Sequence, residues 1–431
     1  MIFMLSKAKL ILKYLFLNNW YANWLIRRLF IRSEDKIRSG LYLRGALLSA
    51  SKKIPAYKNI PVPEYSDDYE RFLKENYPVI SKVDLIENRP LYYPNKGNLG
   101  PLAIVGKTSG TTGSPLDVAR DYLSIIVENY VVRRHWRLAG GGKRATLRGD
   151  DVPSNGGGIS YYNGIDKQLL LSSRDLKAPR FGEYVETLDK FMPDFLQTYP
   201  STSFELAKYL DKRNENLSVP FVYTASEMLY PYQREMIEKR IGKVVDFYGM
   251  AERVAFAAEC LEGNLHINTD YSYVEILDDD NNPTEDIGYI VGTTYHNHLM
   301  PLIRYRLSDR TKWKRGACSC GSKDPMIEAI SGKYEDSVFD SLGNVISPSL
   351  ITFAFKNVKN IERSQVAQVA DAKWEIRVVV TPEFTMNDED VLLNNMSSLV
   401  TAETKIVIRR VSDIKTAPSG KYRWVINECE K

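Results

Sequence analysis

The chain has 431 residues, enough at roughly 100–200 residues per domain for two or three domains with a large buried core. Apolar residues at 44% and charged residues at 26% exclude wholesale disorder and fibrous repeats. A balance of 58 basic against 54 acidic residues, formally +4, is too small an excess for a dedicated nucleic-acid binder, and four cysteines are too few for a disulfide framework, which points to a reducing, cytoplasmic setting with thiols free or metal-bound.

The segment Lys9–Arg32, KLILKYLFLNNWYANWLIRRLFIR, mixes Leu, Trp, Tyr and Phe with Lys9, Lys13, Arg27, Arg28 and Arg32. Charges and Asn interrupt it too often for the ~20 apolar residues of a membrane-spanning helix, and no small-residue cleavage site follows it. The pattern predicts one or two basic amphipathic helices over residues 1–40. Such a helix either packs on the main body or lies peripherally on an anionic leaflet at the inner face of a membrane. Neither end carries a lipidation motif: position 2 is not Gly, and Cys429 lacks a prenylation tail.

From residue 100 to about 310, the strand-like runs PLAIVGK, KRATLRG, DFLQTYP, VPFVYTAS and KVVDFYG alternate with the helix-like SIIVENYVVRRHWRLA, RFGEYVETLDKFM and YPYQREMIEKRIG. This alternation predicts parallel strands with crossover helices. His135-Trp136 falls on a helical apolar pattern and reads as core. Gly140–Gly142 and Gly156–Gly158 read equally as pocket borders or plain loops. Beyond residue 265, HINTDYSYVEILDDDNNPTEDIGYIVGTTY reads as two strands joined by an Asp/Asn/Pro turn holding Asp278–Asp280. A Gly and mixed charges at 330–336, ISGKYED, mark a domain boundary. The last unit holds two strands, WEIRVVVTP and TKIVIRRV, around the helix EDVLLNNMSSLVTAE, with Asp388–Asp390 at its start.

The strongest local signal is Lys107-Thr-Ser-Gly-Thr-Thr-Gly-Ser-Pro115, between the strand AIVG and a long helix. Gly110 and Gly113 allow close backbone approach to an anion, and the hydroxyls of Thr108, Ser109, Thr111 and Thr112 can hydrogen-bond phosphate oxygens. No Lys opens the following helix, so this is not the GxxxxGK[ST] loop.

This segment resembles the phosphate-binding signature of adenylate-forming enzymes, the acyl-CoA synthetase and ligase superfamily. Its ending, Pro115-Leu116-Asp117, resembles the phenylacetate–coenzyme A ligase branch and its relatives encoded with capsule and O-antigen polysaccharide genes. Further signatures follow in order. Ala225-Ser226-Glu227 resembles the adenine-side segment. Tyr248-Gly249-Met-Ala-Glu252 resembles the motif whose ring stacks on adenine and whose Glu holds Mg²⁺. Met300–Asp309 resembles the segment whose Asp binds the ribose hydroxyls, with Leu307-Ser308 in place of Thr-Gly. Gly332-Lys333-Tyr-Glu335-Asp336 resembles the hinge, with Lys333 where Arg is usual. Pro418-Ser-Gly-Lys421 resembles the loop carrying the catalytic Lys. The resemblance covers roughly residues 40–431 and implies an α/β fold: a large N-terminal domain of mixed sheets and helices with a β subregion over 41–331, a hinge at 332–336, and a small mobile α+β domain over 337–431.

The chemistry of each residue type is consistent with these roles. When a carboxylate attacks the α-phosphorus and pyrophosphate leaves, charge neutralisation and positioning dominate. Glu252 is a hard oxygen ligand suited to Mg²⁺, Asp309 can accept two hydroxyls, and Lys421 on a Gly-flanked loop supplies a mobile positive charge. Thr111, Glu252 and Lys421 are the expected catalytic group.

Cys260-x5-His266 follows the Glu252 motif, and Cys318-Ser-Cys320 follows Asp309. A Cys₃His set matches structural zinc, against the alternative of unrelated buried thiols and a surface His; Cys429 is left over. Some members of the resembled branch carry a similar cluster.

The expected function is ATP-dependent activation of a small-molecule carboxylic acid followed by transfer to coenzyme A, with ATP, Mg²⁺ and a structural Zn²⁺. The alternatives are transfer to an amine acceptor in surface-polysaccharide synthesis, and a non-catalytic nucleotide-binding homologue. No nucleic-acid partner is expected.

Overall fold

The computed structural model describes residues 12, 14–30, 35–63, 68–94, 103–107, 116–136, 142–148, 152, 158–173, 176, 179–331, 338–343, 345–346, 351, 354–355, 358–414 and 423–429. Strands β1 (Ile104–Lys107) and β2 (Asp117–Arg120) pair antiparallel and flank the segment predicted to bind phosphate.

Ten strands form the main sheet. In chain order they are β3 (Arg144–Leu147), β4 (Ser160–Asn163), β5 (Gln168–Leu171), β6 (Phe195–Thr198), β7 (Phe221–Ala225), β8 (Lys243–Gly249), β9 (Phe256–Glu259) and β10 (Leu265–Ile267), then β14 (Trp313–Lys314) and β15 (Met326–Ile327). They lie in the order β14-β15-β10-β9-β8-β7-β6-β3-β5-β4, and the central run β5-β3-β6-β7-β8 is parallel. All four residues of β3, β5 and β6 are buried, as expected of parallel strands covered on both faces. Leu147, Leu171, Leu196, Val222 and Val244 pack against Tyr184 and Leu188 of helix Phe181–Phe191, Leu206 and Leu210 of helix Pro200–Arg213, and Ile237 of helix Pro231–Arg240. A second cluster joins Val127 and Val131 of helix Tyr122–Trp136 to Ala225, Phe247, Phe256 and Tyr271. The five expected strands and three expected helices of this region are present, but the first strand, β1, pairs antiparallel with β2 outside the main sheet instead of joining the parallel run. The hairpin β4–β5 and helix Pro200–Arg213 are additional. His135 and Trp136 are core, set against Tyr223, Phe247 and Phe195, and burial lowers the His135 imidazole to about 4.

A smaller antiparallel sheet holds β11 (Ser272–Leu277), β12 (Gly288–Thr294) and β13 (Tyr305–Thr311). The expected turn joins β11 and β12: the Asp278 carboxylate accepts from the Asp280 and Asn282 amides at 3.0 and 2.8 Å, and Asn281 is left-handed. A Cβ on Gly292 would lie 2.1 Å from the Val254 carbonyl oxygen, so only Gly lets β12 approach the loop after β8 so closely.

In the C-terminal region β16 (Val338–Phe339) pairs with β17 (Val345–Ile346). A four-stranded sheet has the order β20-β19-β18-β21, made of β18 (Ile361–Ala370), β19 (Lys373–Val380), β20 (Lys405–Arg410) and β21 (Val425–Asn427). The two strands and the helix read from the sequence are β19, β20 and Met386–Ser397, whose start is a capping box between Thr385 and Asp388. β18 and β21 add to them. At the other end, helix Trp20–Phe30 precedes helix Asp35–Lys53, which runs through residue 40 because Leu43, Leu47 and Ala50 continue its apolar spacing into a core with Tyr295 and Ile303. Among the described residues no helix is long and apolar enough to cross a membrane.

One ion pair ties the small sheet to its surroundings. Arg304, with a left-handed backbone, donates from Nε and Nη2 to both Glu275 carboxylate oxygens at 3.0 and 3.1 Å. It also donates from Nη1 to the Tyr77 carbonyl at 3.1 Å, and both side chains are almost fully buried. Removing one partner leaves an uncompensated buried charge, so Arg304→Met is expected to cost about 3–5 kcal/mol in chemical denaturation. The double variant Arg304→Met/Glu275→Leu is expected to recover part of that loss, and equal loss in both would show that the pair is not the cause.

Candidate active site at the end of the main sheet

Side chains alternate along β8, so Asp246 and Tyr248 share a face while Phe247 points into the apolar cluster behind. After Gly249 the chain turns through Arg253, which is left-handed, and returns as β9. This turn carries Glu252, which is buried and accepts from the Tyr305 hydroxyl at 3.4 Å. β13 brings Asp309 to the same place, where its carboxylate accepts from the Tyr248 hydroxyl at 2.5 Å. Burial, reinforced by Asp309 and Glu252, pushes the Tyr248 phenol well above its usual range, so it stays a donor at neutral pH. Tyr248, Glu252 and Asp309, taken from two separate sequence signatures, therefore converge.

A polar row runs along the Asp246 position of the strand that carries Tyr248. Thr224 donates to Asp246 at 2.6 Å, the Asp246 amide donates to Glu259 at 2.8 Å, and Arg234 donates to both Glu259 oxygens at 2.9 and 3.0 Å. Burial lifts the Asp246 carboxyl to about 7, against the Thr224 hydrogen bond that lowers it. At the end of β7, Ala225 is buried and Ser226 is left-handed; the Ser226 hydroxyl accepts from Arg148 at 3.1 Å, and Glu227 accepts from the Ser201 amide at 3.1 Å. Gly249 is exposed at the strand end.

Three residues that the sequence did not single out complete the surroundings. Tyr305 holds Glu252. Arg120, on β2, has its guanidinium against Gly106 of β1 and donates to the Ala251 carbonyl next to Glu252. Burial lowers its pKa, as does Arg253 nearby. Trp424 stands edge-on to Tyr230 at 4.7 Å, so the C-terminal region packs against the segment following Glu227. Lys212 pairs with Glu362 at 3.0 Å across the same contact. The signal for Tyr305 was its place inside the Met300–Asp309 signature; Arg120 and Trp424 carried none. Thr108, Ser109, Gly110, Thr111, Thr112, Gly113, Lys333, Glu335 and Lys421 lie outside the described residues.

Residues 338–428 match the CapK C-terminal domain. The chain is 28% identical over 249 residues to the phenylacetate-coenzyme A ligase of Thermus thermophilus, a match covering 54% of this chain and 55% of that protein. It is 25% identical over 368 residues to protein CapK of Staphylococcus aureus, covering 82% of this chain and 80% of that one. The chain is similar in sequence to phenylacetate-coenzyme A ligases and to CapK, and these matches support a phenylacetate–coenzyme A ligase-like, adenylate-forming family. Its fold is similar to a 2-hydroxyisobutyryl-CoA ligase solved in the postadenylation state with R3-HIB-AMP, with a TM-score of 0.65, 18% identity and coverage of 90% of this chain and 89% of that one. The same ligase with 2-HIB-AMP and CoA in the thioesterification state gives 0.52 at 19% identity, covering 94% of this chain and 92% of that one.

The cysteine segments also meet. The ligand atoms of Cys260, His266, Cys318 and Cys320 all lie within 4.8 Å of one another. Cys260 and Cys318 sulfurs are 3.7 Å apart, and Cys320 Sγ is 3.5 Å from His266 Nε2. A tetrahedral zinc with ordinary bond lengths separates two sulfurs by about 3.8 Å and sulfur from nitrogen by about 3.6 Å, so the cluster fits. The sulfur separation is far too long for a disulfide. His266 Nδ1 lies 2.9 Å from the Asp324 carbonyl, which as acceptor of its proton leaves Nε2 to face the sulfurs. Cys429 stands apart, with its thiol raised by burial. The four residues link the β9–β10 hairpin to the loop between β14 and β15, immediately beyond Glu252 and Asp309. Purified protein is expected to contain about one equivalent of zinc per chain. Cys318→Ser should lower both metal content and melting temperature, and a folded, unchelated preparation without zinc would overturn the site.

Proposed function

We propose that the chain activates a carboxylic acid with ATP and passes the acyl group to the thiol of coenzyme A. The observation that carries this reading is the convergence of Tyr248, Glu252 and Asp309 in a chain similar to these ligases. A carboxylate oxygen attacks the α-phosphorus and the bond to pyrophosphate breaks. The thiol sulfur then attacks the acyl carbon, its proton is lost, and AMP leaves with the bonding electrons.

The Tyr248 ring offers its face to adenine while its hydroxyl holds Asp309 against the ribose hydroxyls; Ala225, Ser226, Glu227 and Gly249 border the base. Thr108, Ser109, Gly110, Thr111, Thr112 and Gly113 cradle the phosphates. Glu252, a hard oxygen donor kept in place by Tyr305, would hold Mg²⁺, which when bound neutralises phosphate charge. Lys421 stabilises charge growing at the α-phosphate and the acyl carboxylate. Trp424, three residues beyond it, packs on Tyr230, three residues beyond Glu227, which supports delivery of the Lys421 loop to this face. The small domain, with Lys333 and Glu335 at its hinge, then turns to present a different face for thiol transfer.

A second reading keeps the adenylation step and passes the acyl group to an amine, in surface-polysaccharide synthesis, instead of to a thiol. Products of incubation with ATP, magnesium and a carboxylic-acid library, with coenzyme A or with amines, separate the two by mass spectrometry. Absence of pyrophosphate release with every acid would leave only a nucleotide-binding homologue.

Lys421→Ala is expected to bind ATP nearly normally but to lose roughly 10²–10³ in adenylation rate, because the charge it meets develops in the transition state. Supplied with synthetic acyl-adenylate, the same variant should still transfer the acyl group. Asp309→Asn should instead raise the KM for ATP, since its hydroxyl partners are present in ground and transition states alike.

A further inference from the structure

Helix Trp20–Phe30 has two working faces, and adenylate formation uses neither. Successive residues turn by about 100°, which sets Ala22, Ile26, Leu29 and Phe30 on one side and Trp20, Tyr21, Trp24, Arg27 and Arg28 on the other. The first side is inner: Ala22 is buried, and Ile26, Leu29 and Phe30 pack with Val127, Val131 and Tyr271. Polar contacts hold it there. Asn19 donates to the Tyr122 hydroxyl at 2.8 Å, Arg133 donates to Asn18 at 2.9 Å, and Tyr42 donates to the Leu29 carbonyl at 2.5 Å.

The outer side turns its aromatic rings to solvent. Trp20 is 79% exposed, Trp24 46% and Tyr21 44%, and Leu12 and Leu15 just before the helix are 65% and 56% exposed. Tyr21 and Trp24 stack at 5.9 Å, and the Arg28 guanidinium lies 5.4 Å from the Trp24 ring centroid. Residues 1–33 contain six basic residues, Lys7, Lys9, Lys13, Arg27, Arg28 and Arg32, and no acidic one, although the whole chain is nearly balanced.

We propose that this outer face docks the protein on an anionic lipid bilayer. Amphipathic Trp and Tyr rings beside arginines suit the boundary between headgroups and acyl chains, where the ring body enters the apolar region and its polar edge stays wet. An acid-free basic segment complements negative headgroups, whereas the apolar inner side is already occupied by the protein itself. The helix is thus a rigid part of the enzyme body whose opposite face meets the membrane. This inference stands independently of the reaction proposed above.

Co-sedimentation of the full chain with phosphatidylcholine vesicles, with and without phosphatidylglycerol, tests it. Binding is expected only to the anionic vesicles and is expected to weaken as salt rises. At about fivefold per basic side chain near such a surface, Arg27→Gln/Arg28→Gln should weaken binding about 30-fold. Trp20→Ser/Trp24→Ser should weaken it about tenfold or more, and both variants should keep wild-type melting temperature and pyrophosphate release. Retained binding by both folded variants would overturn the assignment of this face. No binding of the wild-type chain to anionic vesicles at low salt would overturn the proposal outright, as would a self-associating chain that the Trp variant turns monomeric without any vesicle binding.

Discussion

The buried pair of Arg304 and Glu275 holds together the parts from which the site is made. Arg304 spans three elements: its guanidinium meets the Glu275 carboxylate on β11 and the Tyr77 carbonyl at the end of helix Tyr69–Asn76, and its backbone amide donates to the Thr293 hydroxyl on β12. The residue after it, Tyr305, reaches Glu252, and the strand it begins ends near Asp309. A charge removed from water at this depth is tolerated only where nearly every donor is matched, so the surrounding geometry is fixed to within hydrogen-bonding tolerance. That precision is transmitted along five residues of β13 to the acid expected to meet the ribose.

The second organising feature is strand alternation at the edge of the parallel run. β8 sends Asp246 and Tyr248 to one face, and a short turn adds Glu252. The polar row of Thr224, Asp246, Glu259 and Arg234 crosses three strands and a helix, and its Asp246 lies on the same face of β8 as Tyr248. A polar row of this kind is stable because its members satisfy one another. Glu259 is followed at once by Cys260, so the same strand carries a member of the row and leads into the first member of the Cys₃His cluster.

Contacts at the periphery relate the catalytic body to its surroundings. The Tyr230–Trp424 contact seats the C-terminal sheet beside the adenine-side segment, and the Lys212–Glu362 pair at its edge is exposed and contributes little energy. Tyr232 also lies against Trp424, and Met228 joins the same apolar cluster, so the contact has an apolar core with a polar edge where Lys208 and Lys212 meet Glu362. Near the start of the chain, helix Trp20–Phe30 packs one side on the core, as the first of the two expectations for the basic N-terminal segment has it, and leaves its other side exposed.

Much of this was legible in the sequence wherever local preference and burial agree. The runs that became β6, β7 and β8 are rich in apolar, aromatic and β-branched residues, the Asp278 and Asp388 turns follow from short polar side chains bonding nearby amides, and the signature residues carry their chemistry in their side-chain types. β18 escaped because IERSQVAQVA is rich in Gln, Ser and Ala, and its strand state comes from pairing with β19 and β21 rather than from its own propensity. Arg120 and Trp424 were equally silent, since one Arg or Trp in a sequence does not reveal its partners. The sequence by itself determined the menu of elements, the order of the signatures and the donor atoms available for phosphate, magnesium and zinc. Only the tertiary structure decided that Tyr248 meets Asp309 across 61 residues and Cys260 meets Cys318 across 58, because register and close packing, not local periodicity, set which distant side chains share a few ångströms of space.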